Sequence, residues 1–175
     1  MLLSSTLAAA ALAIVAQDQV VLRAAPRDSA QQQTMLSQGD SLEVRGEKMD
    51  FLQVYDHRRE RSGYVRTSQV RQTTLSASEA PELLAVARFV RDTPGTEAMG
   101  IAFVAAYLKA APATAIDAEP FDILGTLADR LARRASGASK AQEALLSTQV
   151  DTARHYGIGF IDIERDGRVR LCYEG

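Results

Sequence analysis

Hydrophobic and polar positions follow two different patterns, which change over near Leu75. Before this residue, Leu42 and Val44 alternate with Glu43 and Arg45, and a period of two residues is typical of a strand with one solvent-exposed face. After it, apolar residues recur every three or four positions, as along one face of a helix. The chain has 175 residues, enough for two small domains with a core each. We therefore predict an α+β protein of two domains, divided near residue 75.

Residues 17–75 contain about five short strands within about sixty residues. Pro26 ends the first strand, since proline cannot donate a hydrogen bond to a neighbouring strand. Ser37-Gln38-Gly39-Asp40 has the composition of a turn, and the run of strands ends in Ser62-Gly63-Tyr64-Val65. So many short strands in one segment favour a small barrel or sandwich.

The order of these motifs resembles that of bacterial SH3-like domains. The matching stretches are Val20-Val21-Leu22-Arg23-Ala24-Ala25-Pro26, Leu36-Ser37-Gln38-Gly39-Asp40-Ser41-Leu42-Glu43-Val44, Phe51-Leu52-Gln53-Val54 and Gly63-Tyr64-Val65. The resemblance implies a small SH3-like β-barrel that binds cell-wall components or protein segments, commonly as a targeting module in envelope proteins. Three positions depart from the family pattern: Val21 stands where Asn is usual, Ala25 where Gly is usual, and Phe51 where Trp is common.

Aromatic residues near the end of the predicted barrel form the candidate binding site. In a strict alternation Leu52 and Val54 face the core, so their neighbours lie on the opposite face and can form an exposed shelf for a peptide or a sugar. The candidate residues are Phe51, Gln53, Tyr55 and Tyr64. The alternative interpretation is that Phe51 and Tyr64 complete a small core.

The stretch His57-Arg58-Arg59-Glu60-Arg61 is rich in basic residues and lies between two predicted strands. Clustered arginines can bind an anion. Charged residues at the tip of such a loop are usually solvated, and we favour that interpretation.

Four helices are predicted between residues 76 and 156. The second is apolar almost all round from Met99 to Leu108, so we expect it to be the central buried helix. The third carries Arg130, Arg133 and Arg134 near its C-terminal end. Positive charge suits that end of the helix dipole, whereas a phosphate is repelled there. We therefore interpret these arginines as a solvated helix end.

Residues 158–175 predict a terminal β-hairpin that turns at Arg165-Asp166-Gly167. A two-residue Asp-Gly turn would place apolar side chains opposite charged ones. A three-residue loop instead pairs Ile163 with Val169 and collects the apolar side chains on one face. We predict the three-residue loop, and we expect the helices to cover the apolar face.

The segment 1–16 contains no charged residue and ends in small residues. It resembles a secretory signal peptide, with cleavage after Ala16 or Ala13. Such a chain would be periplasmic or secreted and would have no membrane span after cleavage. The alternative is a cytoplasmic protein in which these residues form a buried N-terminal helix.

Charge and residue types restrict the chemistry. The net charge is −2 and the isoelectric point about 5.7, which gives no case for nucleic acid as a partner. A single cysteine, Cys172, excludes an internal disulfide and a cysteine-based zinc site. His57 and His155 are poorly placed to activate a nucleophile, and no phosphate-binding glycine loop or metal motif is present. We predict no catalytic residues, no metal and no cofactor.

These observations predict a non-enzymatic exported binding protein, whose SH3-like module recognises a cell-envelope component or a partner protein. Two alternatives remain. One is a targeting or regulatory part of a cell-wall-remodelling enzyme. The other is a cytoplasmic interaction protein with an uncleaved N-terminal helix.

Overall fold

A computed structural model describes residues 11–175, and the larger part of the predicted signal peptide lies outside the described residues. Nine strands are present in this range: β1 Ala11–Val15, β2 Val20–Arg23, β3 Gln32–Leu36, β4 Ser41–Lys48, β5 Phe51–Asp56, β6 Arg61–Arg66, β7 Val70–Thr73, β8 Gly159–Arg165 and β9 Arg168–Glu174. Four helices lie between β7 and β8: α1 Ala80–Arg91, α2 Glu97–Ala110, α3 Glu119–Ser136 and α4 Glu143–His155.

The first seven strands form one antiparallel sheet in the order β3-β2-β6-β5-β4-β1-β7. The sheet is open, with β3 and β7 as its edges. The chain is α+β, but the prediction of a small SH3-like barrel followed by a helical domain is wrong. Alternation of apolar and polar residues determines which face of a strand is buried. It does not determine whether the two edge strands pair with each other, and here they do not.

One face of this sheet encloses the first hydrophobic core. Every strand from β1 to β7 contributes to this core, so the sheet must curl strongly around it. Its buried members are Ala13, Val15, Val20, Leu22, Leu36, Leu42, Leu52, Val54, Val65 and Val70. The second core lies among the four helices and includes Ile101, Ile123, Leu127, Leu131 and Val150.

Strand β1 belongs to both cores. Ala13 and Val15 pack into the sheet core, whereas Ile14 is buried in the helical core and Leu12 packs against it. The strand also pairs with β4 on one side and with β7 on the other. A strand that is buried on both faces has a continuous apolar sequence, which periodicity cannot distinguish from the apolar part of a signal peptide. Cleavage after Ala16 would remove β1, and cleavage after Ala13 would remove most of it.

The central helix is α2, as the sequence predicts, and its first residue is a buried carboxylate. Glu97 is 0% exposed, and its carboxylate accepts hydrogen bonds from Arg130 at 2.6 Å and from Arg134. Arg130 also donates to the carbonyl oxygen of Arg91 at the end of α1. The interpretation of Arg130 and Arg134 as a solvated helix end is therefore wrong, because both neutralise a charge inside the helical layer.

A buried polar junction joins α4 to the sheet. Asp40, 4% exposed, accepts hydrogen bonds from the Thr152 hydroxyl at 3.0 Å and from Arg58 at 3.2 Å, and it also pairs with Arg59 at 2.9 Å. The Tyr156 hydroxyl donates to the carbonyl oxygen of Gly39 at 2.6 Å. The basic stretch 57–61 therefore docks on this junction through Arg58 and Arg59, and our interpretation of it as a solvated loop is wrong for these two residues.

Gly39 permits the close approach of sheet and helices at the same junction. Its φ is +88°, which a side chain rarely adopts, and a Cβ atom there would lie 2.4 Å from the carbonyl oxygen of Ala98 in α2. Only glycine fits both requirements.

The terminal hairpin turns through Asp166 and Gly167, with φ of 55° and 71°. Arg165 pairs with Arg168 and Ile163 with Arg170, so the loop has two residues and the three-residue prediction is wrong. Two successive positive φ values match the twist of the flanking strands. Our choice assumed that one face of the hairpin is buried, but the residues next to the turn are exposed on both faces. The turn geometry therefore decides the register.

The Asp40 junction gives a prediction about stability. Asp40→Asn removes the buried partner of Arg58 and one of the two buried carboxylates that pair with Arg59, and it should lower the free energy of unfolding by about 3 kcal/mol. Asp28→Asn is the matched control, because Asp28 pairs with Arg66 at the surface and should leave the urea midpoint almost unchanged. Equal midpoints for the two variants would contradict the junction's role.

Tyr156 gives a prediction about alkaline stability. Burial raises the pKa of its phenol from 10.0 to about 12, so the folded state favours the protonated form. This contribution is present below pH 10 and is lost as the pH rises through about 12. At pH 8, Tyr156→Phe should be less stable by about 1 kcal/mol, because it lacks the hydrogen bond to Gly39. In urea unfolding at pH 11 the difference should narrow, and a constant difference would contradict the assignment.

Candidate functional site

The predicted aromatic shelf lies on the outer face of β5 and β6. Phe51, Gln53 and Tyr55 share this face, and the register places Tyr64 directly opposite Gln53. Gln53 is exposed, and Tyr55 and Tyr64 are partly exposed. The structure therefore brings the four predicted residues to one face of the sheet, with Gln53 and Tyr64 in direct register.

Phe51 differs from the other shelf residues because it is buried. Its exposed fraction is 5%, and the guanidinium carbon of Arg66 lies 4.9 Å from the centre of its ring. Arg66 is held there by Asp28, whose carboxylate accepts its Nε–H at 2.9 Å. Hydrogen bonding to Arg66 lowers the pKa of Asp28. The ring is covered from the outside by an ion pair, so it does not present a face to a ligand.

Tyr55 lies in a cluster of charged and aromatic groups. The guanidinium carbon of Arg45 is 4.1 Å from the centre of the Tyr55 ring, and the His57 ring packs edge-on against it at 4.8 Å. Glu43 accepts hydrogen bonds from Arg45 at 3.1 Å and contacts the His57 Nε2 atom at 2.5 Å. The hydrogen bond to Arg45 and, to a smaller extent, the contact with His57 lower the pKa of Glu43. The cluster orders Tyr55 by a cation–π contact and leaves its edge accessible.

A second surface, which the sequence did not reveal, is a groove between β7 and α1. It encloses about 590 Å³, within the range of small-ligand and peptide pockets. Its apolar lining comes from the two helices: Leu83, Val86, Phe89, Met99 and Phe103. On the other side it is bounded by β7 and by the residues that follow β1, Ala16 and Gln17.

The edge of β7 along this groove has backbone groups without a hydrogen-bond partner among residues 11–175. Ala16 donates its N–H to the carbonyl oxygen of Gln69 at 2.9 Å, and hydrogen-bonded pairs alternate along an antiparallel ladder. The bonded pairs that follow are Ile14 with Arg71 and Leu12 with Thr73. The N–H and C=O groups of Gln72 therefore point away from β1, toward the open edge of the sheet.

Phe89 is the most exposed apolar side chain of the groove, at 75%. The helical spacing of Leu83, Val86, Ala87 and Val90 predicts one apolar face of α1, and it does not single out Phe89. The available signal was a second stripe on the same helix, in which Val86 and Phe89 are three residues apart and therefore neighbours. Phe89 continues the apolar lining of the groove beside Val86 and Met99, and a contiguous apolar surface of this kind is typical of a binding site.

Polar residues mark the groove on its strand and helix sides. Arg71 and Glu82 both line it, and neither forms an ion pair with the described residues. Glu79 is already engaged by Thr73 and Thr74, which lowers the pKa of its carboxyl group. Arg71 and Glu82 are therefore the charges available to a ligand.

The residues considered for nucleophilic catalysis do not converge. Cys172 lies opposite Ile161 in the hairpin, His155 packs edge-on against Tyr156 at 6.0 Å, and His57 contacts Glu43. Within residues 11–175, no group of three or more His, Cys, Asp or Glu side chains is arranged to hold a metal ion. In the same range no helix is both long enough and apolar enough to cross a membrane.

Comparisons with protein-family models, curated proteins and solved structures find no match to this chain. Function is therefore inferred from the chemistry of these surfaces.

The burial of Phe51 gives a prediction that separates structural from binding residues on the shelf. Phe51→Ala should lower the free energy of unfolding by about 3 kcal/mol, since it removes a buried ring. Gln53→Ala, on the same face but exposed, should leave stability unchanged. Urea unfolding of both variants measures this difference. A Phe51→Ala variant as stable as Gln53→Ala would return Phe51 to the list of possible ligand contacts.

Proposed function

We propose that this chain is a non-enzymatic interaction protein that binds an extended segment of a partner protein in the groove between β7 and α1. The observation that carries the proposal is the combination of a free strand edge at Gln72 with an apolar groove beside it. The proposal keeps the class predicted from the sequence, a binding protein, and moves the site away from the aromatic shelf.

Strand addition accounts for both features of the groove. An extended peptide that pairs with the edge of β7 gains backbone hydrogen bonds, which depend little on its sequence. Alternate side chains of the peptide then point toward α1, where Val86 and Phe89 offer apolar contacts. The backbone supplies affinity and the groove supplies specificity.

The charges beside the groove restrict the partner further. Arg71 on β7 suits an acidic side chain and Glu82 on α1 suits a basic one, because each lacks a partner among the described residues. We therefore expect a segment with alternating apolar residues that carries both an acidic and a basic residue. Such charges fix orientation and register more than they add affinity.

The aromatic shelf is a second candidate surface, and the specific observation in its favour is the ordered Tyr55 beside the exposed Gln53 and partly exposed Tyr64. An aromatic ring beside an amide suits a sugar or a peptide, which can pack on the ring and hydrogen-bond to the amide. The proposal that the chain recognises a cell-envelope component applies to this surface.

The cellular compartment of the protein depends on whether residues 11–16 remain attached to the chain. The position of β1 between β4 and β7 supports a folded protein that retains residues 11–16. This favours the uncleaved chain of the alternative prediction, but Ala11–Val15 forms a strand and not the buried N-terminal helix that the alternative assumed. A periplasmic location is compatible with this only if those residues stay attached.

Peptide selection tests the groove directly. Peptides of about twelve residues are selected from a random library on the full chain, and binding of one synthetic selected peptide is measured by titration. Phe89→Ala and Gln72→Pro should each weaken binding at least tenfold, since the first removes the exposed ring and the second removes the edge N–H. Both positions are exposed, so both variants should remain folded.

Two controls make the result specific. Met49→Ala removes another apolar side chain that is 70% exposed but lies away from the groove, and it should not change the affinity. Tyr55→Ala tests the shelf in the same titration. A selected peptide that loses affinity with Tyr55→Ala, and binds Phe89→Ala as it binds the unchanged chain, would overturn the groove and favour the shelf.

A further inference from the structure

A third surface lies between the terminal hairpin and the C-terminal end of α3. It is a cleft of about 820 Å³. Four arginines and one carboxylate line it: Arg133, Arg165, Arg168, Arg170 and Asp129. Four positive charges and one negative charge leave a formal charge of +3 in the cleft, although the whole chain carries −2. The cleft is therefore positively charged, although the chain as a whole is negatively charged.

The two-residue turn places three of these arginines on one face of the hairpin. Arg165 and Arg168 are directly opposite each other, and Arg170 lies two residues further along the same face. Like charges directly opposite in an antiparallel pair are destabilising. The acidic residues of β8, Asp162 and Glu164, pair with Leu171 and Val169, which places them on the other face.

The three hairpin arginines also differ from most other arginines in the lack of an ion pair with a carboxylate of the described residues. In residues 11–175, ten arginines form ion pairs with carboxylates, including Arg133 with Asp129. Arg165, Arg168 and Arg170 form none with the described residues. Three such guanidinium groups held on one strand face repel one another, and an anion bound between them would relieve that repulsion.

The number and spacing of the arginines indicate the kind of anion. Opposite residues in a hairpin are about 5 Å apart at Cα, and residues two positions apart along a strand are separated by about 7 Å. Long side chains at these separations can converge on one cleft. Three guanidinium groups without ion pairs among the described residues carry more positive charge than a single phosphate or sulfate balances, whereas the linked phosphates of a short chain can pair with each of them. The negative end of the α3 dipole opposes an anion, but its effect falls off within the last turn.

We propose that the cleft between the hairpin and the C-terminal end of α3 binds a small ligand with two or more linked phosphate groups. Ile163 lies on the same hairpin face as these arginines and gives the cleft apolar surface, which suits a ligand with an organic portion. A long polyanion such as nucleic acid is disfavoured, because the positive charge is confined to one cleft of an acidic chain. The site uses no residue of the β7–α1 groove and does not depend on the function proposed there.

Calorimetric titration of the full chain with inorganic triphosphate tests the site. The unchanged chain should bind one triphosphate per molecule, and the affinity should fall as the salt concentration rises from about 50 to about 200 mM. The double variant Arg165→Gln with Arg168→Gln should bind at least tenfold more weakly. Arg27→Gln removes an exposed arginine from the sheet side of the chain and should bind as the unchanged chain does.

A thermal melt distinguishes loss of the site from loss of the fold. Without ligand the double variant should melt at the same temperature as the unchanged chain or higher, because it lacks the opposed charges. Triphosphate should raise the melting temperature of the unchanged chain and of Arg27→Gln, but not that of the double variant. Equal binding by the double variant, or equal binding of sulfate and triphosphate at matched ionic strength, would overturn the proposal.

Discussion

The burial of β1 on both faces is the constraint on which the rest of the structure depends. Ala13 and Val15 fill the curled sheet, while Ile14 fills the helical layer from the opposite side of the same strand. Three consecutive residues thus hold two cores together, and the backbone of β1 connects β4 to the edge strand β7. Without β1, β7 has no neighbour in the sheet, and the helices lose the apolar surface on which they rest.

Buried carboxylates that pair with arginines also help to join the sheet to the helices and the helices to one another. Asp40 links the sheet to α4 through Thr152, Arg58 and Arg59, and Glu97 links α2 to α3 through Arg130 and Arg134. Each carboxylate is costly to bury alone and is retained only because its partners are in place. These contacts specify how the layers fit together more than they add to stability. The arginines of the terminal hairpin, which lack such partners among the described residues, lie at the surface and are available for binding.

The parts of the structure that local pattern determines could be predicted from the sequence. Alternation placed Leu52 and Val54 in the core and Gln53 on the outer face, and helical spacing identified α2 as the central helix. Phe51 was on the predicted face but is buried, since its cover is the Arg66–Asp28 pair from distant positions. No local pattern reports a contact of that kind. The open sheet, the groove at Phe89 and the role of Arg130 also depend on contacts between residues that are far apart in the sequence.

Two of the sequence-based predictions share a physical assumption. The segment 1–16 is predicted to be a signal peptide and the hairpin to have a three-residue loop, because in each case one structural role is assumed for an apolar pattern. A fully buried strand and a signal segment are both continuously apolar, and apolar residues of a hairpin can be exposed when they serve binding rather than packing.

Native-state hydrogen exchange on the full chain tests the central role of β1 most directly. The amides of residues 12–15 are expected to exchange only through global unfolding. Their opening free energies should then equal those of the slowest amides in β5 and α2, and should fall with denaturant at the same slope. If these amides open at a much lower free energy while β5 and α2 stay protected, β1 is a peripheral strand and does not hold the two cores together.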